Sequence, residues 1–164
     1  MTITRNILLN PGPATTSDTV KMAQVVADIC PREHEFGALM RSIAEDLTAL
    51  AGGDGEYKTV LFGGSGSAAM DGVINSVTPP EKKILIINNG AYGERMVKIA
   101  NAYQIECVEI QCAWDALPDL GEIEAALQRD PDIAVVGMVH HETTTGLLNP
   151  IQEIGALAKQ YQKV

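Results

Sequence analysis

The stretch KILIINNG, residues 83–90, decides the fold of this 164-residue chain. Its four consecutive apolar residues, Ile84 to Ile87, suit a strand that is buried on both faces, and the Asn-Asn-Gly that follows is a turn signal leading into a helix. A second run of the same kind, IAVVGMV at 133–139, comes further along the chain. Strands without polar alternation are typical of parallel sheets that helices cover on both sides.

Helical and strand patterns alternate along the rest of the chain. The first half of the chain is predicted to contain helices at 17–29, with Ser17 as cap, and at 35–50, then a strand at 57–62 that ends in the glycine loop 63–67, and a helix at 68–77. The second half is predicted to contain strands at 83–87, 105–110 and 133–139. Helices are predicted between these strands, at 93–103 and 119–129, and after the last one, from 151 to about 163. Each crossover is long enough for a βαβ unit. The predicted fold is therefore α/β, a mostly parallel sheet with helices on both faces.

Composition and charge exclude several classes of protein. Hydrophobic residues make up 46% of the chain, too much for a disordered polymer, and three cysteines are too few for a disulfide scaffold. The formal charge is -9, and lysine and arginine do not cluster beyond the Lys82-Lys83 pair. This balance argues against nucleic acid or an anionic membrane as the partner. The length by itself predicts one domain.

Cysteine, histidine and the N-terminus add further expectations. Cys30, Cys107 and Cys112 form no CxxC pair, and the three histidines show no metal-ligand spacing, so we expect reduced, structural thiols and no metal. The apolar run near the N-terminus breaks at Pro11 and is too short for a signal peptide. No apolar run approaches the roughly 18 residues of a membrane span. We therefore expect a cytoplasmic protein.

Ligands of open parallel sheets bind beyond the carboxyl ends of the strands, so the segments after the strands are the candidate sites. The first is GGSGS, residues 63–67, directly before a helix. Its glycines, its two hydroxyls and the unpaired N–H groups of a helix N-terminus are typical of a phosphate cradle. It lacks the lysine of a Walker loop and the third glycine of G-x-G-x-x-G. An equally good interpretation is a tight turn in which Ser65 or Ser67 caps the helix.

The other two segments are weaker signals on their own. Tyr92, between two glycines at a strand-to-helix turn, offers a ring to cover a flat ligand, although packing against a neighbouring loop is the more frequent role of such a residue. Glu142 and the threonines at 143–145 offer hydrogen bonds to a phenolic or carbonyl oxygen. His140 ends an apolar strand and is expected in the core, whereas His141 is the better candidate to face a site.

Four segments together carry a resemblance to a known family. They are LLNPGPATT at 8–16, CPREHEF at 30–36, GSGSAAMD at 64–71 and HHETTTGLLNP at 140–150. Over essentially its whole length, the chain resembles the N-terminal half of the large domain of fold-type I, class V pyridoxal-phosphate aminotransferases, in the group of alanine-glyoxylate and serine-pyruvate enzymes. The second and third segments favour the branch of that group that takes its amino group from an aminophosphonate.

The resemblance implies a role for each matching residue. Pro11, Gly12 and Pro13 match the family's substrate-side loop, and Ser65, Gly66 and Ser67 match its cup for the 5'-phosphate of pyridoxal 5'-phosphate. Tyr92 matches the aromatic residue that stacks on the pyridine ring. Thr143 matches the residue whose hydroxyl bonds the phenolic oxygen.

The resemblance also implies what this sequence lacks. The family's aspartate at the pyridine nitrogen, its Schiff-base lysine and its small C-terminal domain have no match here, and no lysine of the chain follows a strand end in a suitable context. Residues 1–164 are therefore expected to be the N-terminal part of the large domain, inactive alone. An unpaired sheet edge is expected to make the isolated chain prone to aggregate.

For the complete protein, the resemblance implies a homodimer whose substrates are a small amine and pyruvate. Two alternatives stay open. One is an alanine-glyoxylate or serine-pyruvate aminotransferase, because the contacts to the substrate's acidic group lie mostly beyond Val164. The other is a non-catalytic module that holds a phosphate-bearing ligand on the loop around Ser65.

Overall fold

The computed structural model describes residues 6–53 and 55–164. It divides into two compact units, Met1–Gly63 and Gly64–Val164. In the described part of the chain, no helix has both the length and the apolar content needed to cross a membrane.

The first unit contains the helices α1 (Asp18–Met22) and α2 (His34–Leu50). Ser17 caps α1 as predicted, since its hydroxyl oxygen accepts a hydrogen bond from Val20 N–H at 3.4 Å. The predicted helix over 17–29 is wrong beyond Met22. α1 buries none of its residues, and Val25 and Val26 are 72% and 74% exposed. Without a packed apolar face, so short a helix gains too little to continue.

The prediction of a helix at 35–50 is confirmed by α2. The helix begins one residue earlier, at His34, and ends at Leu50. Gly52, two residues beyond, has φ 72°, a left-handed conformation that costs glycine little, and its N–H donates to the Ala49 carbonyl at 2.9 Å. The glycine pair stops this helix, as its sequence indicates.

The segment 57–62, predicted as a strand, forms no strand ladder within the described residues. Thr59 N–H donates instead to Thr48 Oγ1 of α2 at 3.1 Å, and the two threonine hydroxyls lie 2.8 Å apart. The β-branched composition of the segment favours an extended backbone, but a strand also needs a partner strand for its amides. Here the side chain of Thr48, on α2, accepts the hydrogen bond that a partner strand would otherwise accept.

A three-stranded parallel sheet organises the second unit. Its elements in chain order are α3 (Gly66–Val77), β1 (Lys83–Asn88), α4 (Ala91–Ala102), β2 (Cys107–Gln111), α5 (Leu120–Arg129), β3 (Ile133–Met138), β4 (His141–Glu142), β5 (Leu147–Leu148) and α6 (Ile151–Gln160). The strand order is β2-β1-β3, with β1 central, and Ile84 pairs with Cys107 on one side and Val135 on the other. The parallel α/β prediction is confirmed.

The apolar run of β1 forms the core on both faces of the sheet. Leu85 and Ile87 pack with residues of α5 and α6, including Ile123, on one face. Ile84 and Ile86 pack with residues of α3 and α4 on the other. All four residues of the run are at most 1% exposed, and each such side chain contributes about 1.5–3 kcal/mol of hydrophobic stabilisation. Helices therefore cover both faces, as the uninterrupted apolar pattern predicts.

Two details after β3 differ from the sequence prediction. β4 and β5 form a short antiparallel hairpin, closed by a hydrogen bond from Gly146 N–H to the Glu142 carbonyl at 2.8 Å. Gly146 has φ 82°, which favours glycine at this turn. The last helix, expected to reach about residue 163, ends at Gln160, and Val164 pairs with the edge of β3 through hydrogen bonds of 2.7 and 3.0 Å.

Candidate active site

The predicted phosphate loop lies at the N-terminus of α3. Ser65 is the N-cap residue, and its Oγ accepts from Ala68 N–H at 3.2 Å. The amides of Gly66 and Ser67 take no hydrogen-bond partner within the described residues. Gly66 is exposed and Ser67 is half-buried, and a Cβ added at Gly66 would meet no atom within 4 Å. The capping interpretation is thus correct for Ser65, and two unpaired N–H groups at the positive end of the α3 dipole remain for an anion.

Arg95 joins the phosphate loop to the predicted stacking residue. Its Nη1 donates to Ser67 Oγ at 2.6 Å, and the centre of its guanidinium lies 5.0 Å from the centroid of the Tyr92 ring. The structure therefore brings Ser67 and Tyr92 together through one cation. The sequence prediction omitted Arg95, although its position three residues after Tyr92 on a helix puts both residues on one face.

Two glycines allow close approach in the turn from β1 into α4. A Cβ at Gly93 would lie 2.5 Å from Asn88 Oδ1 and 2.9 Å from Asn88 Cα. A Cβ at Gly90 would overlap Cγ and Cδ of Glu142 and lie 2.6 Å from its Oε2. Both contacts exclude any larger residue without movement. The glycines that flank Tyr92 are therefore packing requirements of this turn.

Glu142 is the buried carboxylate of this region, with none of its surface exposed. Its Oε2 accepts from Tyr92 N–H at 3.2 Å, and its Oε1 accepts from Thr144 N–H at 3.2 Å and from the Thr144 hydroxyl at 2.6 Å. Thr143, between them in sequence, is half-buried. Glu142 thus connects the turn that carries Tyr92 with the hairpin that carries Thr143.

A pair of buried asparagines links the end of β1 to the start of α6. Asn89 Nδ2 donates to Asn149 Oδ1 at 2.8 Å, and Asn149 Nδ2 donates to Asn89 Oδ1 at 3.2 Å and to the Val139 carbonyl at 2.7 Å. Both side chains are almost fully buried. The sequence analysis missed this pair, because a contact between residues so far apart in the chain leaves no local pattern.

The remaining candidate residues, two histidines and the loop 11–13, are exposed. His140 is exposed, so the expectation that it belongs to the core is wrong: β3 ends at Met138 and the chain has already left the sheet. His141 is exposed in β4. Pro11, Gly12 and Pro13 are exposed within the first unit, and their substrate-side role stays a prediction.

The thiols of Cys107 and Cys112 behave as structural groups. Burial, with a smaller contribution from the Glu109 charge, raises the pKa of Cys107 to about 11. Burial and the Glu122 charge also raise the pKa of Cys112. Both thiols are therefore protonated near neutral pH and are poor nucleophiles. Among residues 6–53 and 55–164, no three His, Cys, Asp or Glu side chains are grouped as metal ligands.

Comparison with known proteins identifies the family. The sequence model of the class-V aminotransferases matches residues 19–164. The chain belongs to the class-V aminotransferases. It is 46% identical, over 99% of its length, to 2-aminoethylphosphonate–pyruvate transaminases of Salmonella paratyphi C and Salmonella typhimurium. The chain spans 44% of the length of these relatives.

Solved aminotransferases share the fold of this class-V chain. An alanine–glyoxylate aminotransferase from Nostoc sp. matches 100% of the chain with 43% of its own, at a TM-score of 0.86 and 28% identity. A ureidoglycine–glyoxylate aminotransferase from Bacillus subtilis matches 100% of the chain with 42% of its own, at a TM-score of 0.86 and 25% identity. The predicted fold, part of a fold-type I large domain, is confirmed.

Proposed function

We propose that this chain is the N-terminal part of the large domain of a pyridoxal-phosphate-dependent aminotransferase that transfers the amino group of 2-aminoethylphosphonate to pyruvate. The products are phosphonoacetaldehyde and alanine. The observation that carries the proposal is the 46% identity with the Salmonella transaminases, which extends over 99% of the chain. We further propose a cytoplasmic homodimer for the complete protein.

The residues at the α3 N-terminus fit the phosphate of such a cofactor. The amides of Gly66 and Ser67 have no hydrogen-bond partner among the described residues and lie at the positive end of the helix. The Ser67 hydroxyl adds a donor, and Arg95 brings a positive charge to that hydroxyl. A phosphate needs such a combination of directed N–H groups and charge.

Tyr92 and Thr143 suit the ring of the cofactor. The half-buried Tyr92 ring offers a face for stacking, and the Thr143 hydroxyl offers a hydrogen bond to a phenolic oxygen. When bound, pyridoxal phosphate supplies an electron-withdrawing ring that stabilises negative charge at the substrate carbon. The residues of this chain bind and orient that ring.

Proton transfer is not assigned to a residue of this chain. Lys83, at the start of β1, donates to Glu106 at 2.8 Å and to Asp130 at 2.9 Å, and these carboxylates raise the pKa of the lysine further above its usual value. A lysine held in its charged form is a poor base. We therefore propose that residues 1–164 hold the cofactor without completing the reaction.

The alternative enzymes, which use other amino donors, belong to the same family of aminotransferases. The Nostoc structure, an alanine–glyoxylate aminotransferase, shares 28% identity with the chain, against 46% for the Salmonella relatives, so the phosphonate is the better-supported amino donor. A non-catalytic module that holds a phosphate-bearing ligand at residues 65–67 requires only the α3 N-terminus. Such a module would not explain why Tyr92 and Thr143 match the residues that contact the cofactor ring in the family.

The decisive experiment is an assay of the longest open reading frame that contains this chain. Purified protein with pyridoxal phosphate is supplied with 2-aminoethylphosphonate and pyruvate, and in parallel with alanine and glyoxylate or serine and pyruvate. We expect alanine to form fastest from the phosphonate. A faster reaction of another pair would replace the substrate assignment, and a reading frame that stops at Val164 and yields stable protein would favour the binding module.

A second experiment uses the 164-residue chain. Pyridoxal phosphate is added, the mixture is reduced with borohydride, and peptides are mapped by mass spectrometry. We expect bound cofactor but no site-specific attachment to a lysine. Stoichiometric attachment to one lysine, with turnover of amine and pyruvate, would show that the chain is complete as an enzyme.

A further inference from the structure

We propose that Glu142 is a positioning residue that holds Tyr92 and Thr143 in a fixed relation, so that binding of the cofactor ring depends on it far more than binding of the phosphate does. This inference rests on the proposed function, because the ring in question is that of pyridoxal phosphate. It assigns a role to a buried carboxylate that makes no hydrogen bond to the phosphate loop.

The first support is the cap of α4. Gly90 is the N-cap residue of this helix and has no side chain to accept a hydrogen bond. Tyr92 N–H, one of the amides that the first helical turn leaves unpaired, instead donates to Glu142 Oε2 at 3.2 Å. The carboxylate lies at the positive end of the α4 dipole, where a negative charge is stabilised. Glu142 therefore supplies from another element the cap that the local sequence omits.

The second support is the other carboxylate oxygen. Oε1 accepts from both the N–H and the hydroxyl of Thr144, the residue directly after Thr143. One side chain thus bonds the backbone of Tyr92 with one oxygen and the hairpin of Thr143 with the other. Since the group is fully buried, losing a donor leaves an uncompensated polar group and shifts both segments.

The third support is the space reserved for this carboxylate at Gly90. The backbone there has φ 173° and ψ -175°, an extended conformation that any residue adopts. A Cβ would nevertheless overlap the Glu142 side chain. The glycine is therefore required by the carboxylate and not by the backbone conformation.

The phosphate loop is linked to Glu142 indirectly, since Arg95 contacts both Ser67 and the Tyr92 ring. Ser65 and Ser67 bond with Ala68 and Arg95, and Glu142 makes no hydrogen bond to residues 64–67. Loss of the Glu142 contacts is thus expected to disturb the ring contacts more than the phosphate loop. A residue with a purely structural role would lower phosphate binding and ring binding together, through loss of folded protein.

The test uses the protein of the longest open reading frame that contains this chain, and compares the purified wild type with Glu142→Gln, which keeps the size of the side chain. Its amide nitrogen must face either Tyr92 N–H or Thr144 N–H, so at least one of these N–H groups loses its acceptor. We expect the Tyr92 amide resonance to shift, the dissociation constant for pyridoxal phosphate to rise about tenfold, and that for inorganic phosphate to change by less than about twofold.

Three further variants sharpen the comparison. Gly90→Ala retains the carboxylate but displaces it, and is expected to reproduce the effect of Glu142→Gln. Thr144→Val removes one of the three donors and leaves the Tyr92 contact, so the Tyr92 amide should stay in place. Gly155→Ala, on an open face of α6, is the matched alanine control, since a Cβ there meets nothing within 4 Å.

The outcomes separate the two proposals. If the wild-type protein binds no pyridoxal phosphate, the proposed function fails, whereas the Tyr92 amide still reports whether Glu142 holds the turn. If the wild type binds the cofactor and Glu142→Gln binds it equally well, the positioning role is wrong. Equal losses for pyridoxal phosphate and inorganic phosphate would also overturn it.

Discussion

Arg95 Nη1 lies 2.6 Å from Ser67 Oγ, and this hydrogen bond ties the N-terminus of α3 to the second turn of α4. The same guanidinium lies 5.0 Å from the centroid of the Tyr92 ring. A cation near an aromatic face is attracted to it, so Tyr92 helps to hold Arg95 against Ser67. The predicted phosphate loop and the predicted stacking residue therefore share one charged neighbour.

Arg95→Ala is expected to weaken the binding of pyridoxal phosphate and of inorganic phosphate by about threefold to tenfold, because both lose a nearby positive charge. The effect should shrink at high salt, since the side chain is exposed and its field is screened. Fluorescence titration at two ionic strengths measures it. Arg95→Lys, which keeps the charge, should lose less affinity. If Arg95→Ala binds as tightly as the wild type at low salt, the role of Arg95 is limited to packing on Tyr92.

Gly93→Ala is expected to lower the free energy of unfolding by about 1–3 kcal/mol. The new Cβ would lie 2.9 Å from the backbone of Asn88, which cannot move without disturbing β1. Gly155→Ala in the open part of α6 is the control, and should raise stability by about 0.5–1 kcal/mol through helix propensity. Urea denaturation followed by circular dichroism measures both. A stabilising Gly93→Ala would contradict the close contact with Asn88.

Acid is expected to destabilise the fold partly through Asp130. The hydrogen bond from Lys83 Nζ to Asp130 Oδ2, at 2.9 Å, lowers the pKa of this carboxyl below its usual value. A carboxyl with a lowered pKa in the folded state stabilises the protein above the unfolded pKa of about 3.9, and this contribution is lost as the pH falls through the folded value. Urea midpoints measured from neutral to acidic pH should fall less steeply for Asp130→Asn than for the wild type. Parallel curves would show that Asp130 is not the responsible group.

Alkylation is expected to distinguish the three thiols. Cys30 is exposed, whereas burial raises the pKa of Cys107 to about 11 and also raises that of Cys112. Iodoacetamide at about pH 8 should therefore modify Cys30 first, because the thiolate is the reactive form and must be accessible. Mass spectrometry of peptides taken over time measures the rates, with the urea-unfolded chain as the control in which all three react. Early modification of Cys107 in the folded chain would contradict its burial.

The elements of the sheet were predictable because their signal is local. The strands β1, β2 and β3 all lie within a residue or two of the predicted runs, since strands buried on both faces must be apolar at consecutive positions. The segment 57–62 has a similar composition and forms no ladder. Composition sets the preference for extended backbone, whereas a strand exists only where a partner accepts and donates its hydrogen bonds.

The candidate site was predictable in part for the same reason. Ser65 as a helix cap follows from a short-range pattern, and the structure confirms it. Arg95 has a short-range signal that was overlooked, its helical spacing from Tyr92. Asn89 and Asn149 form a buried pair 60 residues apart, which no spacing rule indicates.

The sequence by itself determined the alternation of strands and helices and the glycine-flanked turn around Tyr92, because apolar periodicity and turn chemistry act over a few neighbouring residues. Only the tertiary structure decided which residue caps α4. Gly90 offers no side chain, and Glu142, 50 residues beyond Tyr92, supplies the carboxylate. That contact forms only when the parallel sheet brings the ends of β1 and β3 to the same edge, and burial then makes each hydrogen bond to the carboxylate necessary.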